Sequence, residues 1–378
     1  MPFHTDEAAL RWASQDYGDL VHHRPAAVLR PVDETEICAA MGENVVPRGA
    51  GHSTGGQAQA PGGVVVDMTV FRTVHEVRAD RVIVDAGARW SDVLRATLPR
   101  GLTPPVLTDY LELTVGGTLS VGGLGGASQH HGAQTDNVLA LEVVTPSGAL
   151  VTCTPHHNSQ VFDAVRAGRG RHGIITRATL KLVPAPETVT WHRLCYGSVE
   201  QLVADQRLLV TAGSFDYLEG QLKFRDGRRV AELEAVSFTT ASLVGLNHDE
   251  AETRTTSYWD FVNRLTTGEP LIRAAGLWDA PHPWCNLLLP DHAVEDVLRH
   301  LEGEGPELYG DFGLVLAYPL RADRLTTPRL QLPEGERIFL VAALRYAARD
   351  SPATVKAMQE ANNALIEQAG GTLYLEPL

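Results

Sequence analysis

The sequence predicts an α+β fold in two parts, and three observations carry that prediction. From residue 45 to 182 short strands alternate with short helices. Beyond about 186, long strands run in groups with the helices set apart from them, a segregation that marks α+β rather than a doubly wound parallel sheet. Sixteen of the 35 glycines fall in three short stretches, 49–63, 116–132 and 168–173, where the backbone must turn sharply or approach another group closely. With 378 residues, 44% of them hydrophobic, the chain is long enough for two cores.

Taken in order, the periods predict a helix over 35–41 and a strand at 45–48 that enters the first glycine stretch. Strands follow at 64–67 and 81–85, then a helix from a Ser91 cap to Leu98, stopped by Pro99 and Gly101. Beyond the second glycine stretch, 138–145 and 150–153 read as a hairpin about Pro146-Ser147-Gly148, and 173–182 as an alternating strand. Val183-Pro184-Ala185-Pro186 reads as a domain boundary. The second part reads as a helix at 198–211, strands at 215–224 and 230–239, a helix near 256–266 and a strand at 284–289. A helix at 292–303, strands at 313–320 and 338–347, and a helix from Ser351-Pro352 to Gly370 complete it.

Composition excludes several classes. A net charge of -14 repels a phosphate backbone, so no nucleic-acid partner is expected. No apolar run reaches the roughly 18 to 20 residues of a membrane helix. The first residues, Met1 to Glu7, have neither the basic nor the apolar region of a secretory leader, so a cytoplasmic location is expected. Cys38, Cys153, Cys195 and Cys285 form no C-x-x-C pair, which suits reduced thiols and argues against structural zinc; no metal is expected.

The run Arg48-Gly49-Ala50-Gly51-His52-Ser53, with Gln57, follows a strand and contains Gly-x-Gly-x-x-x-Gly. A Rossmann fingerprint needs a helix next, but residues 53–63 hold four glycines and a proline before the next strand. What is left is strand, glycine turn and strand, a nest of N–H groups suited to a pyrophosphate. This run resembles the FAD-binding domain of the vanillyl-alcohol oxidase (PCMH) type, most closely that of the cytokinin dehydrogenases. Thr108-Asp109-Tyr110-Leu111-Glu112-Leu113-Thr114-Val115-Gly116-Gly117-Thr118-Leu119-Ser120 supports the same resemblance, as do Phe215 to Gly220, His282-Pro283-Trp284, Tyr318-Pro319-Leu320 and Ala342-Ala343-Leu344-Arg345.

The resemblance implies an FAD-binding domain at 1–185 and a substrate domain at 186–370 with an antiparallel sheet flanked by helices. A short return to the FAD domain follows at 371–378, without the family's C-terminal tail. It implies FAD held covalently through His52, taken as an exposed loop histidine of ordinary pKa, and no second link, since 122–132 holds no cysteine. Arg48, Gly49, Ala50, Gly51, Ser53, Gln57, Asp109, Thr114, Gly117, Ser120, Leu124, Ile175 and Tyr374 are the implied FAD contacts. Asp109 is the implied catalytic base, taking an N–H proton as a hydride leaves for the flavin. Trp284, Tyr318, Leu344 and Arg207 are implied on the substrate side, Arg207 standing where the family has a carboxylate, so that poor turnover of isopentenyl adenine is expected. Val121 and Gly122 replace the usual asparagine and alanine. The implied activity is oxidation of an amine C–N bond in a small molecule, with oxygen or a quinone as electron acceptor. A same-fold oxidase acting on a carbinol, sugar or biosynthetic intermediate, and a flavin-binding protein without redox turnover, are the alternatives.

Overall fold

Strands with apolar residues on alternate positions form the frame that holds the glycine loops. In a computed structural model, which describes residues 3–225 and 227–375, Val45–Arg48 and Val64–Asp67 lie side by side and parallel, joined by the first glycine stretch with no helix in it. Ala27–Leu29 and Phe3–His4 complete that sheet. A second, antiparallel sheet runs in the order Val74–Val77, Arg81–Asp85, Ile174–Lys181, Val138–Val144, Leu150–Cys153. Period-two alternation places Val82, Val84, Ala178 and Leu180 in one core with Val66, Trp90 and Leu94. The segment expected as a boundary is itself paired, Val183–Pro184 with Leu102–Thr103.

The C-terminal part is an eight-stranded antiparallel sheet, in the order Glu250–Ser257, Thr188–Tyr196, Arg228–Ser237, Tyr217–Arg225, Leu314–Arg321, Arg337–Leu344, Cys285–Pro290, Thr372–Leu373. One face buries Leu218, Leu233, Leu287 and Phe339 against the helices Val199–Ala212, Val294–Gly303 and Pro352–Ala369. Each fully buried aliphatic side chain there contributes about 1.5 to 3 kcal/mol. The other face turns Tyr217, Val236, Tyr318 and Leu340 toward the N-terminal sheets and glycine loops. A functional site built on that second face is covered by the N-terminal sheets and glycine loops.

Three details correct the sequence reading. The first-half helix is Trp90–Thr97 and follows Arg89; Ser91 is not its cap but lies buried in its first turn. The second glycine stretch contains a short helix, Val115–Leu119. The segment expected to return to the FAD domain first adds the edge strand Thr372–Leu373 to the C-terminal sheet. Only then does the Tyr374 hydroxyl accept the Gly123 N–H at 2.9 Å, while residues 376–378 lie outside the described residues. Among the described residues no helix is long and apolar enough to cross a membrane, and no three or more histidine, cysteine or acidic side chains are placed to hold a metal ion.

Candidate active site

The two glycine stretches meet face to face. A Cβ on Gly49 would lie 2.1 Å from Thr114 Oγ1, and one on Gly117 2.8 Å from the same oxygen, so only glycine lets the loops approach this closely. Gly51, at φ +76°, packs against the Arg48 guanidinium. Arg48 is buried, lies over the Trp12 ring at 4.6 Å, and has no hydrogen-bond partner for Nε or Nη1 among the described residues. Burial pushes it down to about 10, against the pull of Asp16 and Asp67. A buried cation with unspent donors beside a glycine nest suits a pyrophosphate, so the residues present fit FAD.

His52 differs from the sequence expectation. It is not an exposed loop histidine: neither ring nitrogen makes a well-formed hydrogen bond among the described residues, and burial pushes its pKa down to about 4. The ring is therefore neutral at pH 7. It stacks on Tyr17 at 5.1 Å, and Tyr17 stacks on His282 at 4.0 Å, with Tyr110, Trp278 and Trp284 around them. The segment before the first glycine stretch fixes this stack. Tyr17 N–H donates to Gly51 O (2.9 Å) and Gly18 N–H to Ser53 O (3.0 Å). The Asp16 carboxylate accepts from Gly56 N–H (2.8 Å) and the Ser53 hydroxyl (3.0 Å).

Asp109 sits one residue from Tyr110, at the start of a cluster that β register creates. Residues 217 and 219 share one face of their strand, Glu219 is paired with Glu234, and Gly220 with Ala317, which brings Tyr318 alongside. The Tyr217 hydroxyl donates to Asp109 Oδ1 (2.6 Å), Tyr318 donates to Oδ2, and Arg264 Nη2 donates to Oδ1 (3.0 Å). Arg264 also reaches Glu219 (2.8 Å) and Glu234 (3.3 Å). Burial and then the Asp109 charge hold Glu219 above the usual carboxylate range; burial likewise raises Glu234, Tyr217 and Tyr318. Beside Asp109, Tyr217 and Arg264 opens a pocket otherwise lined mainly by apolar side chains such as Leu107, Phe238, Tyr258 and Phe261.

Of the sequence-derived candidates, Arg48, Gly49, Ala50, Gly51, His52, Thr114 and Gly117 gather at the nest, and Asp109 and Tyr318 at the carboxylate cluster. Leu124 and Tyr374 pack in a shared apolar cluster with Tyr318. The Ser120 hydroxyl donates to Gly116 O (2.7 Å), and the Gln57 side chain accepts the Gly55 N–H (2.9 Å). Ile175 is buried in the first core. Leu344 ends its strand opposite Leu314, about 13 Å along from the Tyr318–Leu340 pair. Arg207 is a correction. Its guanidinium is bound to Asp291 (2.8 Å) and Glu295 on the helix side of the sheet, so it brings no charge to Asp109; the cation there is Arg264. Glu219 lies in the Phe215–Gly220 run, but its meeting with Glu234 depends on the pairing of their strands. Asp16, Tyr17, Arg264 and Trp278 lie outside strands and carry no local motif; tertiary packing alone brings them to the site.

Comparison with known proteins agrees with this geometry. Residues 25–154 match the FAD binding domain family, and residues 186–254 and 245–372 match the family described as cytokinin dehydrogenase 1, FAD and cytokinin binding. An oxidoreductase of the fasciation locus of Rhodococcoides fascians is 40% identical over 98% of this chain and 89% of its own length. Cytokinin dehydrogenase 10 of Oryza sativa subsp. japonica is 37% identical over 96% of this chain and 78% of its own, and cytokinin dehydrogenase 4 of Arabidopsis thaliana 32% over 92% and 79%. Matched along nearly its whole length, the chain belongs to the cytokinin-dehydrogenase family of PCMH-type FAD flavoproteins and is an FAD-dependent oxidase or dehydrogenase.

Proposed function

We propose that the protein oxidises the exocyclic C–N bond of a cytokinin-like amine to an imine, with Asp109 as the base. The observation that supports this most is the carboxylate itself: Asp109 receives Tyr217, Tyr318 and Arg264 as donors while its neighbour Tyr110 lies 5.1 Å from the His52 ring. Three donors fix its orientation toward the site. FAD, when bound, supplies the hydride acceptor. The Gly49–Gly51 and Gly116–Gly117 backbone with Arg48 would hold its phosphates. We assign the covalent link to His52, whose ring keeps a free nitrogen lone pair at neutral pH. Trp284 and Tyr318 would line the substrate side, and the Asp109 carboxylate takes the substrate N–H proton. We place the domain boundary at 185/186. We place the protein in the cytoplasm, which its four free cysteines suit, with oxygen or a quinone as acceptor.

Two measurements test this. Acid precipitation of the holoprotein should leave a yellow pellet; a colourless one removes the covalent link. Asp109→Asn keeps the shape and should retain FAD, yet isopentenyl adenine should reduce its flavin about a hundredfold to ten-thousandfold more slowly in anaerobic stopped-flow mixing. Reduction at the native rate would return Asp109 to the status of a turn residue. Since Arg207 faces the helices, the expected purine penalty loses its basis: Arg207→Gln should leave KM for isopentenyl adenine within about twofold of native.

A further inference from the structure

Arg264 is a buried cation among acidic neighbours. It stands just after the helix Tyr258–Val262, in the turn Arg264–Thr267, with its side chain 10% exposed. One nitrogen, Nη2, lies within hydrogen-bond distance of three acceptors, Asp109 Oδ1 (3.0 Å), Glu219 Oε2 (2.8 Å) and the Tyr217 oxygen (2.6 Å), one more than its two N–H groups can serve separately, while Nε lies 3.3 Å from Glu234. The Tyr217 and Phe261 rings pack against it at 5.1 and 4.9 Å. The titratable and charged groups facing the cluster come from every element around it. Asp109 comes from the loop, Tyr217, Glu219 and Lys223 from one strand, Glu234 from its neighbour, Arg193 from the next and Tyr318 from the other side. Asp216 and His131 line the same cavity.

The arrangement sets three carboxylates against one guanidinium that stays charged at any working pH. The single Tyr217 proton lies within reach of both Asp109 and Glu219, so it can serve only one of them. Asp109 faces Tyr217, Tyr318 and Arg264, and Glu219 faces Tyr217, Arg264 and the Gln221 amide (2.6 Å), so donors do not separate them. Exposure does: the Asp109 side chain is the most open of the three carboxylates, 16% exposed against 4% for Glu219 and 11% for Glu234, and it lines the pocket. The protons left to the cluster then fall to the glutamates, whose affinity for them burial raises.

We propose that Arg264 is a positioning residue for the oxidation: its guanidinium holds Asp109 in the ionised, proton-accepting form and so sets the lower pH limit of activity, an inference that rests on Asp109 being the base. The test is flavin reduction by isopentenyl adenine between pH 5 and 9 in native, Arg264→Met, Arg264→Lys and Glu234→Gln proteins, each with FAD content and melting temperature checked. Arg264→Met should move the acid limb up by at least one pH unit, about a tenfold loss of rate on that limb that alkali recovers. Arg264→Lys, which restores the charge, should lie between it and native. Glu234→Gln, which removes a competing carboxylate without touching Asp109, should move the limb down. A second readout is free of turnover: the pH dependence of Kd for an N6-alkyl adenine with a saturated alkyl group should follow the same shifts. An acid limb that stays in place in Arg264→Met, or a loss that alkali does not recover, overturns the proposal. If Arg264→Met fails to load FAD, an unmoved limb in Glu234→Gln overturns it instead. The reading of Asp109 fails separately, through native-rate reduction of Asp109→Asn. A slow Asp109→Asn beside an unmoved Arg264→Met limb ends only this inference.

Discussion

At the scale of single residues, burial of imidazoles ties chemistry to pH. His282 is fully buried, its Nδ1 lies 2.6 Å from the Tyr17 carbonyl, and burial lowers it from 6.5 to about 4. A base with a depressed folded pKa binds its proton more readily when unfolded. Its contribution is therefore intact above about pH 6.5 and is lost as pH falls toward 4, amounting to about 3 kcal/mol. Melting curves of the holoprotein should show this acid loss, and His282→Gln should flatten it between pH 6.5 and 4; an equal slope in both proteins would place the titration elsewhere. His52, with the same shift, explains how a ring read from sequence as exposed reaches the neutral form by a different route, burial rather than its ordinary pKa.

At the scale of elements, the glycine loops and the strand Tyr217–Arg225 do most to shape the site. Gly49→Ala puts a methyl group into Thr114 Oγ1, so the loops must part. We expect that variant to fold with little or no bound FAD, seen as loss of flavin absorbance in purified protein, while Gly42→Ala, which meets nothing within 4 Å, retains it. These loops were legible because glycine spacing is a local signal. Strands such as Arg81–Asp85 were legible because alternation reports a buried face. Glu250–Ser257 escaped because it is polar apart from Ala251 and exposed along most of its length. Arg264 escaped because its meaning depends on the pairing of Glu219 with Glu234, a register no local pattern encodes. Arg207 misled for the converse reason: its place in an aligned run says nothing about which side of a helix it occupies.

At the scale of the molecule, one apolar core draws on both halves: Trp191, Tyr217, Val236, Tyr258 and Phe261 pack in the same cluster as Val84, Trp90 and Leu111. Neither half has an independent core at that face, so calorimetry of the holoprotein should give a single cooperative unfolding transition. Residues 186–375 expressed alone should aggregate, since that apolar face is uncovered; two resolved transitions would show that the shared core couples them weakly. The eight-stranded sheet carries a different consequence in its borders. One border is the strand Glu250–Ser257, exposed and bearing Glu250, Glu252 and Arg254; the other is only two residues long, Thr372–Leu373. A charged border and a stunted one both discourage the addition of a strand from another molecule. The sheet is thus capped at both borders against lateral growth into fibrils.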